Sequence, residues 1–223
     1  MKLAIFDFEG TLVDFQWQLA AAQEEVRGLL EGWLDRAGLD RQELAGLDYC
    51  RLYNHLQRRL TDPNLRAEIV GRVAAVYDRY DADAAGRWRL YPGVGELLTA
   101  LRERGWGLAL DSNVGRRALD QMLARFSLAS LFDVTVSRNE VTLLKPAAEG
   151  LDLIRAYYRQ REVAVDRAFM VGDSVTDIET ARQAGIPVII LKHGEDRTSR
   201  LRRHAPDYLV DRFAEVGKIL LAE

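Results

Sequence analysis

The sequence predicts an α/β protein in which a doubly wound parallel sheet is interrupted once by an all-helical insertion. Two observations predict this fold. Over residues 89–223, short apolar segments alternate with amphipathic helical segments, which is the pattern of successive βα units. Over residues 14–88, apolar residues recur at helical spacing and no convincing strand pattern occurs. We therefore expect residues 1–13 and 89–223 to form one α/β core, with residues 14–88 as a helical bundle above its strand ends.

The first element is the apolar segment Leu3–Phe6, which we expect to be a buried strand. After the insertion we expect, in chain order, helix 94–104, strand 107–111, helix 115–126, strand 133–136, helix 147–158, strand 168–172, helix 175–184, strand 187–191, strand 208–210 and a C-terminal helix. Gly105 and Gly185 stand where helices must stop, which is typical of left-handed C-terminal caps. Pro187 fits the first position of a strand.

Composition argues against several classes of protein, among them nucleic-acid binders and membrane proteins. The 223 residues carry a formal net charge of −3 with mixed signs, so the chain lacks the electrostatic footprint of a nucleic-acid or anionic-membrane binder. No apolar segment approaches membrane-spanning length, and the sequence starts on a strand rather than on a signal peptide. Cys50 is the only cysteine, so we expect a core thiol and no disulfide. We expect a cytoplasmic monomer or weak homodimer without nucleic-acid or membrane partners.

Two carboxylates follow the first strand directly. Asp7 and Glu9 lie just beyond Leu3–Phe6, where open α/β sheets keep their active sites. Gly10 lets the chain turn out of the strand, and Thr11 offers a hydroxyl to an anionic group. In such a pair one carboxylate can attack phosphorus while the other protonates the leaving oxygen. Acids at strand ends also cap helices or line solvated turns, so this segment alone is weak evidence.

Three later segments place further polar groups at strand ends. Ser112 and Asn113 follow the second predicted strand, and Lys145 follows a third strand-like segment. Asp173 and Asp177 follow a fourth. Taken singly, Ser112 and Asn113 fit an ordinary helix cap, and Lys145 fits a surface lysine before a helix. Their occurrence together with Asp7 outweighs both interpretations.

In this order, the four motifs resemble those of the haloacid dehalogenase-like superfamily of phosphohydrolases, and the resemblance spans nearly the whole chain. Within that superfamily the chain is most similar to helical-cap phosphatases such as the phosphoglycolate phosphatases. The resemblance implies a Rossmann-like core and a helical cap that closes over the substrate. It also implies Mg²⁺-dependent hydrolysis of a small phosphorylated metabolite, phosphoglycolate-like or a sugar phosphate, through an aspartyl-phosphate.

The resemblance also implies a role for each acid and for the lysine. Asp7 would be the nucleophile, Glu9 the acid–base group, and Lys145 the cation that neutralises the nucleophile and the transferring group. The Mg²⁺ ligands would be the Asp7 carboxylate, the Glu9 backbone carbonyl and Asp173. Asp177 is expected to hold Lys145 through an ion pair rather than to bind the metal.

Phosphate binding would fall to Ser112, the backbone amide of Asn113, and Thr11. Two other functions stay open at this point. A phosphotransferase such as a sugar-phosphate mutase would use the same core but return the phosphoryl group to a sugar. A phosphate-binding protein would keep the site without turnover, because Glu9 stands where the family usually has Asp.

The chain departs from the family pattern at two positions. The extra methylene of Glu9 moves its carboxyl group outward by about 1.5 Å, and misplacement on that scale can cost about a hundredfold in rate. Asp111 precedes Ser112 where a small or hydroxyl residue is usual. Its charge would disfavour phosphate unless the side chain points away or pairs with Arg116 or Arg117.

Substrate choice is expected to come from the insertion. Trp17 either stacks on the organic part of a substrate or fills the core, and the core interpretation is favoured. Arg51, His55, Arg58 and Arg59 fall on one predicted helix, where they reach a substrate carboxylate or second phosphate, or are solvated; solvation is favoured.

Overall fold

The computed structural model describes residues 1–223 and confirms the predicted α/β class. Its strands are β1 (Lys2–Phe6), β2 (Gly107–Asp111), β3 (Val134–Val136), β4 (Arg167–Gly172), β5 (Val188–Leu191) and β6 (Tyr208–Val210). They form one sheet in the order β3-β2-β1-β4-β5-β6, and every neighbouring pair is parallel. The order reverses between β1 and β4, the position at which open α/β sheets form a binding crevice.

The helices are α1 (Leu19–Glu31), α2 (Leu34–Ala37), α3 (Arg41–Ala45), α4 (Tyr49–Arg59), α5 (Pro63–Ala85), α6 (Val94–Glu103), α7 (Arg116–Arg125), α8 (Glu149–Gln160), α9 (Val175–Ala184), α10 (Thr198–Arg203) and α11 (Phe213–Ala222). Short 3₁₀ turns cover Ala129–Leu131 and Arg138–Glu140. Helices α1–α5 follow β1 in the sequence and precede all the other strands, and we call them the helical insert.

Helices cover both faces of the sheet. Side chains alternate along a strand, so Ala4 and Phe6 join the apolar cluster on one face while Leu3 and Ile5 join the cluster on the other. The first cluster extends into α6, α7, α11 and the helical insert, and the second into α8 and α9. This two-sided core confirms the doubly wound arrangement.

Helix α5 is the longest helix and forms the spine of the insert. Pro63 occupies its first turn, where a missing N–H costs nothing, and the Asp62 carboxylate accepts hydrogen bonds from Asn64 N at 2.8 Å and Leu65 N at 3.2 Å. Its buried apolar face includes Val73 and Tyr77, which pack in the same cluster as α1 and α4. The spacing that predicts a helix here therefore also identifies the face that holds the insert together.

The predicted element boundaries need small corrections. Strand β5 begins at Val188, so Pro187 lies just before the strand, although its carbonyl accepts a hydrogen bond from Met170 N at 2.9 Å. The short helices α2, α3 and α10 were not predicted, because four to six residues are too few to show a helical period. Across the whole structure, every helix is too short or too polar to cross a membrane.

Both glycines expected to cap helices adopt left-handed backbone conformations, with φ of 77° at Gly105 and 67° at Gly185. We expect Gly185→Ala to lower the free energy of unfolding by about 1 kcal/mol, because an L side chain disfavours this conformation. The matched control is Gly86→Ala, since Gly86 ends α5 at φ −66° and should tolerate a side chain. Urea unfolding of both variants checks this; equal destabilisation would contradict it.

Candidate active site

The site is built at the carboxyl ends of β1 and β4. Phe6 pairs with Val171 in the sheet, and Asp7 N donates to Val171 O at 2.9 Å. Both strands therefore end at the same level, and the acids that follow them, Asp7 and Asp173, face each other across the switch point. Both are buried, with exposed fractions of 8% and 1%.

Gly10 makes this approach sterically feasible. Its φ is 80°, and a Cβ atom there would overlap the Asp173 carboxylate. The neighbouring Thr11 hydroxyl is buried and donates to Asp173 Oδ1 at 3.3 Å. This hydrogen bond orients Asp173, and the contact of Thr11 with phosphate stays a prediction.

Lys145 is held between two carboxylates. Its Nζ lies 2.9 Å from Asp7 Oδ1 and 2.6 Å from Asp177 Oδ1. Burial alone would lower the pKa of Lys145, but Asp177 and Asp7 raise it well above its usual value, so the ammonium stays charged. The other oxygen of Asp177 accepts from Ser174 Oγ at 2.6 Å and from Asp173 N at 3.2 Å. Asp177 is thus fully engaged within the protein.

Negative charge exceeds positive charge at this point of the structure. Carboxylate oxygens of Asp7, Asp173 and Asp177 lie within 4.8 Å of one another, and Lys145 is the cation that contacts them. Burial, Asp177 and Asp7 raise the pKa of Asp173 well above its usual value. Burial also raises the pKa of Asp7 to about 6, although Lys145 opposes the shift. A divalent cation with hard oxygen ligands fits this surplus of buried carboxylates.

Ser112 and Asn113 follow β2 at the same edge of the sheet. Asn113 Oδ1 accepts from Lys145 N at 3.0 Å, and Asn113 Nδ2 donates to Cys50 Sγ of the helical insert at 3.0 Å. The side chain therefore links the lysine segment to the insert. The predicted core thiol is indeed buried.

The Glu9 side chain accepts hydrogen bonds from both segments that connect the insert to the core. Its Oε1 accepts from Gln16 N at 2.8 Å, from Trp17 N at 2.7 Å and from Trp88 Nε1 at 2.7 Å. Burial raises the pKa of Glu9 to about 7, against the lowering effect of the Trp88 hydrogen bond. The longer side chain therefore reaches hydrogen-bond donors in both segments that connect the insert to the core.

Asp111 points away from the site. A Cβ atom on Gly150, in the first turn of α8, would overlap the Asp111 carboxylate, whose Oδ2 is buried and accepts no hydrogen bond. The alternative prediction, an ion pair between Asp111 and Arg116, is wrong, because the Arg116 guanidinium binds Asp120 and Glu140. Burial, opposed by Lys145, raises the pKa of Asp111 to about 7, which reduces its charge near the site.

Arg138 joins the insert to the core and was missed by sequence reasoning. Its Nη2 lies 2.7 Å from Asp81 Oδ2 and also binds Asp78, while Nη1 donates to Asn113 O at 2.7 Å. Gly115 N donates to Asp81 Oδ2 at 2.9 Å. Asp81 could have indicated this contact, because a carboxylate on the apolar face of α5, four residues after Tyr77, needs a buried cation as partner.

The core and the insert together enclose a narrow cavity. Its lining residues are Asp7, Glu9, Phe15, Trp17, Tyr49, Asp81, Ser112, Asn113, Val114, Arg138, Lys145, Asp173, Ser174, Thr176 and Glu195. The volume open to water-sized molecules is about 30 Å³. Trp17 lines this cavity and also packs on Tyr49 and Tyr77, with ring centroids 4.8 and 5.6 Å away, so both of its expected roles remain compatible with its position.

A family model described as haloacid dehalogenase-like hydrolase matches residues 4–191. The chain belongs to this family. It is 30% identical over 218 residues to a phosphoglycolate phosphatase of Cupriavidus necator, covering 97% of this chain and 91% of that protein. It is 31% identical over 199 residues to a phosphoglycolate phosphatase of Rhodospirillum rubrum, covering 88% and 81% of the two chains.

Solved structures agree on the fold of this haloacid dehalogenase-like hydrolase. A predicted phosphatase from Clostridium acetobutylicum superposes with a TM-score of 0.65 at 22% identity, covering 100% of this chain and 99% of that one. A predicted phosphoglycolate phosphatase from Haemophilus somnus gives 0.62 at 22% identity, covering 99% and 98%. The resemblance inferred from the four motifs is confirmed.

The buried contact between Arg138 and Asp81 should be important for stability. We expect Arg138→Met to lower the free energy of unfolding by about 3 kcal/mol, because it leaves a buried carboxylate without its cation. The matched control is Arg79→Met, which breaks the exposed Arg79–Glu25 pair and should cost less than about 1 kcal/mol. Urea unfolding measures both, and a loss at Arg138 as small as that at Arg79 would contradict the assignment.

Proposed function

We propose that this protein is a Mg²⁺-dependent phosphatase that hydrolyses a small phosphate monoester through an aspartyl-phosphate on Asp7. The family and the names of the relatives support a phosphatase. The observation that supports the mechanism is the pairing of the buried Asp7 carboxylate with Lys145 Nζ at 2.9 Å, beside an acidic cluster suited to a divalent cation.

Asp7 is the proposed nucleophile. A carboxylate oxygen forms a bond to phosphorus as the bond from phosphorus to the leaving oxygen breaks. Lys145 offsets the negative charge of both the nucleophile and the phosphoryl group, so their approach is not opposed by repulsion. Water then attacks the phosphorus of the aspartyl-phosphate, which releases inorganic phosphate and restores the carboxylate.

The proposed metal ligands are the Asp7 carboxylate, the Glu9 backbone carbonyl and the Asp173 carboxylate. When bound, Mg²⁺ would neutralise negative charge on the phosphoryl oxygens. Asp173 is oriented for this role by Thr11 at 3.3 Å and by Glu195 N at 2.5 Å. Asp177 is assigned to Lys145, because one of its oxygens binds the ammonium and the other accepts hydrogen bonds from its own helix turn.

Phosphoryl oxygens are assigned to the Ser112 hydroxyl and the Asn113 backbone N–H, which line the cavity beside Lys145. Arg138 also lines the cavity and supports this arrangement, since it donates to the Asn113 carbonyl at 2.7 Å. Hydrogen-bond donors fixed in this way stabilise charge without reorganising during the reaction.

Glu9 is the proposed acid–base group. Its carboxyl group donates a proton to the leaving oxygen and later accepts one from the attacking water. The three donors on Oε1 fix its position at 2.7–2.8 Å. Because these donors lie at the connections to the insert, the longer side chain fits the site as it is built, which opposes the interpretation of Glu9 as a disabling change.

The helical insert, with its connections over residues 14–88, is proposed to act as a cap. The insert lines the cavity at the strand ends with Phe15, Trp17 and Tyr49, so it contacts a substrate bound there. The substrate class proposed from the relatives' names is a small phosphorylated metabolite, phosphoglycolate or one of similar size.

The proposed nucleophile is tested by Asp7→Asn. The amide is nearly isosteric but does not attack phosphorus, so we expect loss of turnover by at least about a thousandfold with the fold retained. Phosphate release from 2-phosphoglycolate and a panel of sugar phosphates is measured with Mg²⁺ and with chelator. The exposed carboxylate variant Asp35→Asn is the control. Undiminished turnover of Asp7→Asn would exclude the covalent mechanism.

The fit of Glu9 is tested by Glu9→Asp. The shorter side chain cannot reach its donors and the substrate in the present geometry, so we expect kcat to fall about ten- to a hundredfold. Trp88→Phe removes one of the three donors and should cause a smaller fall. Steady-state kinetics on the best substrate of the panel decides, and a Glu9→Asp enzyme as fast as the parent would show that the site is not built around glutamate.

A further inference from the structure

A second cleft, separate from the catalytic cavity, lies where helix α4 of the insert meets the core. Its volume is about 470 Å³. From α4 it is lined by Arg51, His55, Arg58 and Arg59, none of which lines the catalytic cavity. Positions 51, 55, 58 and 59 share one helix face, so this basic face is turned towards the core across the cleft.

The opposite wall of the cleft offers Arg58 and Arg59 no counter-charge. It is formed by Pro146, Ala147 and Gln183, and no aspartate or glutamate lines the cleft. Basic residues in the last turn of a helix are favoured by the helix dipole in any protein. That effect explains their presence in α4, but not why they surround a cleft whose other wall is uncharged.

Two acids near the cleft are already paired with Arg51. Asp48 and Glu179 both bind Arg51, the latter at 2.6 Å. Arg51 is thereby fixed in position and neutralised. His55 Nε2 is buried without a hydrogen-bond partner, 3.8 Å from a Glu43 carboxylate oxygen.

Arg58 and Arg59 are the cations that remain. Arg58 makes no ion pair, and Arg59 contacts only the Gly38 carbonyl, at 3.4 Å. The two guanidinium groups line one cleft and offer several N–H donors. Planar guanidinium forks match the oxygens of phosphate better than any other side chain.

We propose that this cleft is a second, non-catalytic binding site for a phosphate group, carried by a small phosphorylated molecule or by free inorganic phosphate. The ligand binds Arg58 and Arg59 from the insert and contacts Ala147 and Gln183 from the core. Since Pro146 and Ala147 directly follow Lys145, the ligand ties the insert to the segment that carries the lysine of the active site. It therefore holds the insert against the core.

The site is tested by two-dimensional NMR on the full-length Asp7→Asn protein, which removes turnover, with inorganic phosphate as the probe. Backbone amides of residues 55–59, 147 and 183 should shift with a common dissociation constant, separate from that of residues 112 and 113. In Arg58→Gln/Arg59→Gln on the same background, the first set should lose its response and the second should keep it. Absence of the first response in the parent, or its persistence in the double variant, would overturn the proposal.

Two further variants control for charge and folding. Arg202→Gln/Arg203→Gln removes the same charge from an exposed pair on α10 and should leave both responses intact. Gln183→Glu supplies the missing counter-charge on the exposed end of α9 and should weaken the first response at least about tenfold, as the site then pairs internally. An unweakened response in this variant would contradict the proposed position of the ligand.

A last comparison identifies the source of the phosphate group. Glycerol 3-phosphate is titrated beside inorganic phosphate on the same protein. Tighter binding of the ester at residues 55–59 supports a phosphorylated metabolite as ligand, and equal or weaker binding supports free phosphate. Both titrations are independent of turnover, so failure of the proposed hydrolysis and failure of this site are separate results.

Discussion

The structure depends on one electrostatic constraint, which is the surplus of carboxylates buried around a single ammonium at the switch point of the sheet. Lys145 lies between Asp7 and Asp177 at 2.9 and 2.6 Å, and Asp173 completes the acidic cluster. Burying unbalanced charge is costly, and the surrounding hydrogen bonds reduce that cost. Asp177 is satisfied by its own helix turn, and Asp173 by Thr11 and Glu195.

The helical insert is linked to the residues around this cluster of charges. Besides the shared apolar cluster, it makes specific polar contacts with the core: Asn54 exchanges two hydrogen bonds of 2.7 Å with the backbone of Leu144, and Arg138 binds Asp81. Leu144 immediately precedes Lys145, and Arg138 binds the Asn113 carbonyl. The insert therefore contacts the segments that position the lysine and the phosphate-binding residues, so its movement and the order of the site are linked.

Much of this arrangement could be predicted from the sequence, because strand ends in a parallel sheet converge whatever the intervening chain does. That rule brought Asp7, Ser112 and Asp173 to one edge without knowledge of any contact. The predicted strand before Lys145 was wrong: residues 141–148 form no strand, and Lys145 reaches this edge from a loop. The orientation of Asp111 could not be predicted, since it depends on space left by Gly150 in a helix forty residues away. The partnership of Arg138 with Asp81 joins positions 57 residues apart, and no local pattern encodes such a pair.

The hydrogen bonds of Glu9 have a consequence for how this enzyme and its relatives diverge. Its donors, at positions 16, 17 and 88, all lie within the insertion and its connections, whereas the acid itself is in the core. A grafted insertion that places these three donors elsewhere would leave the Glu9 carboxyl group without its partners. The two parts must then change together, so this insertion is not a freely exchangeable module.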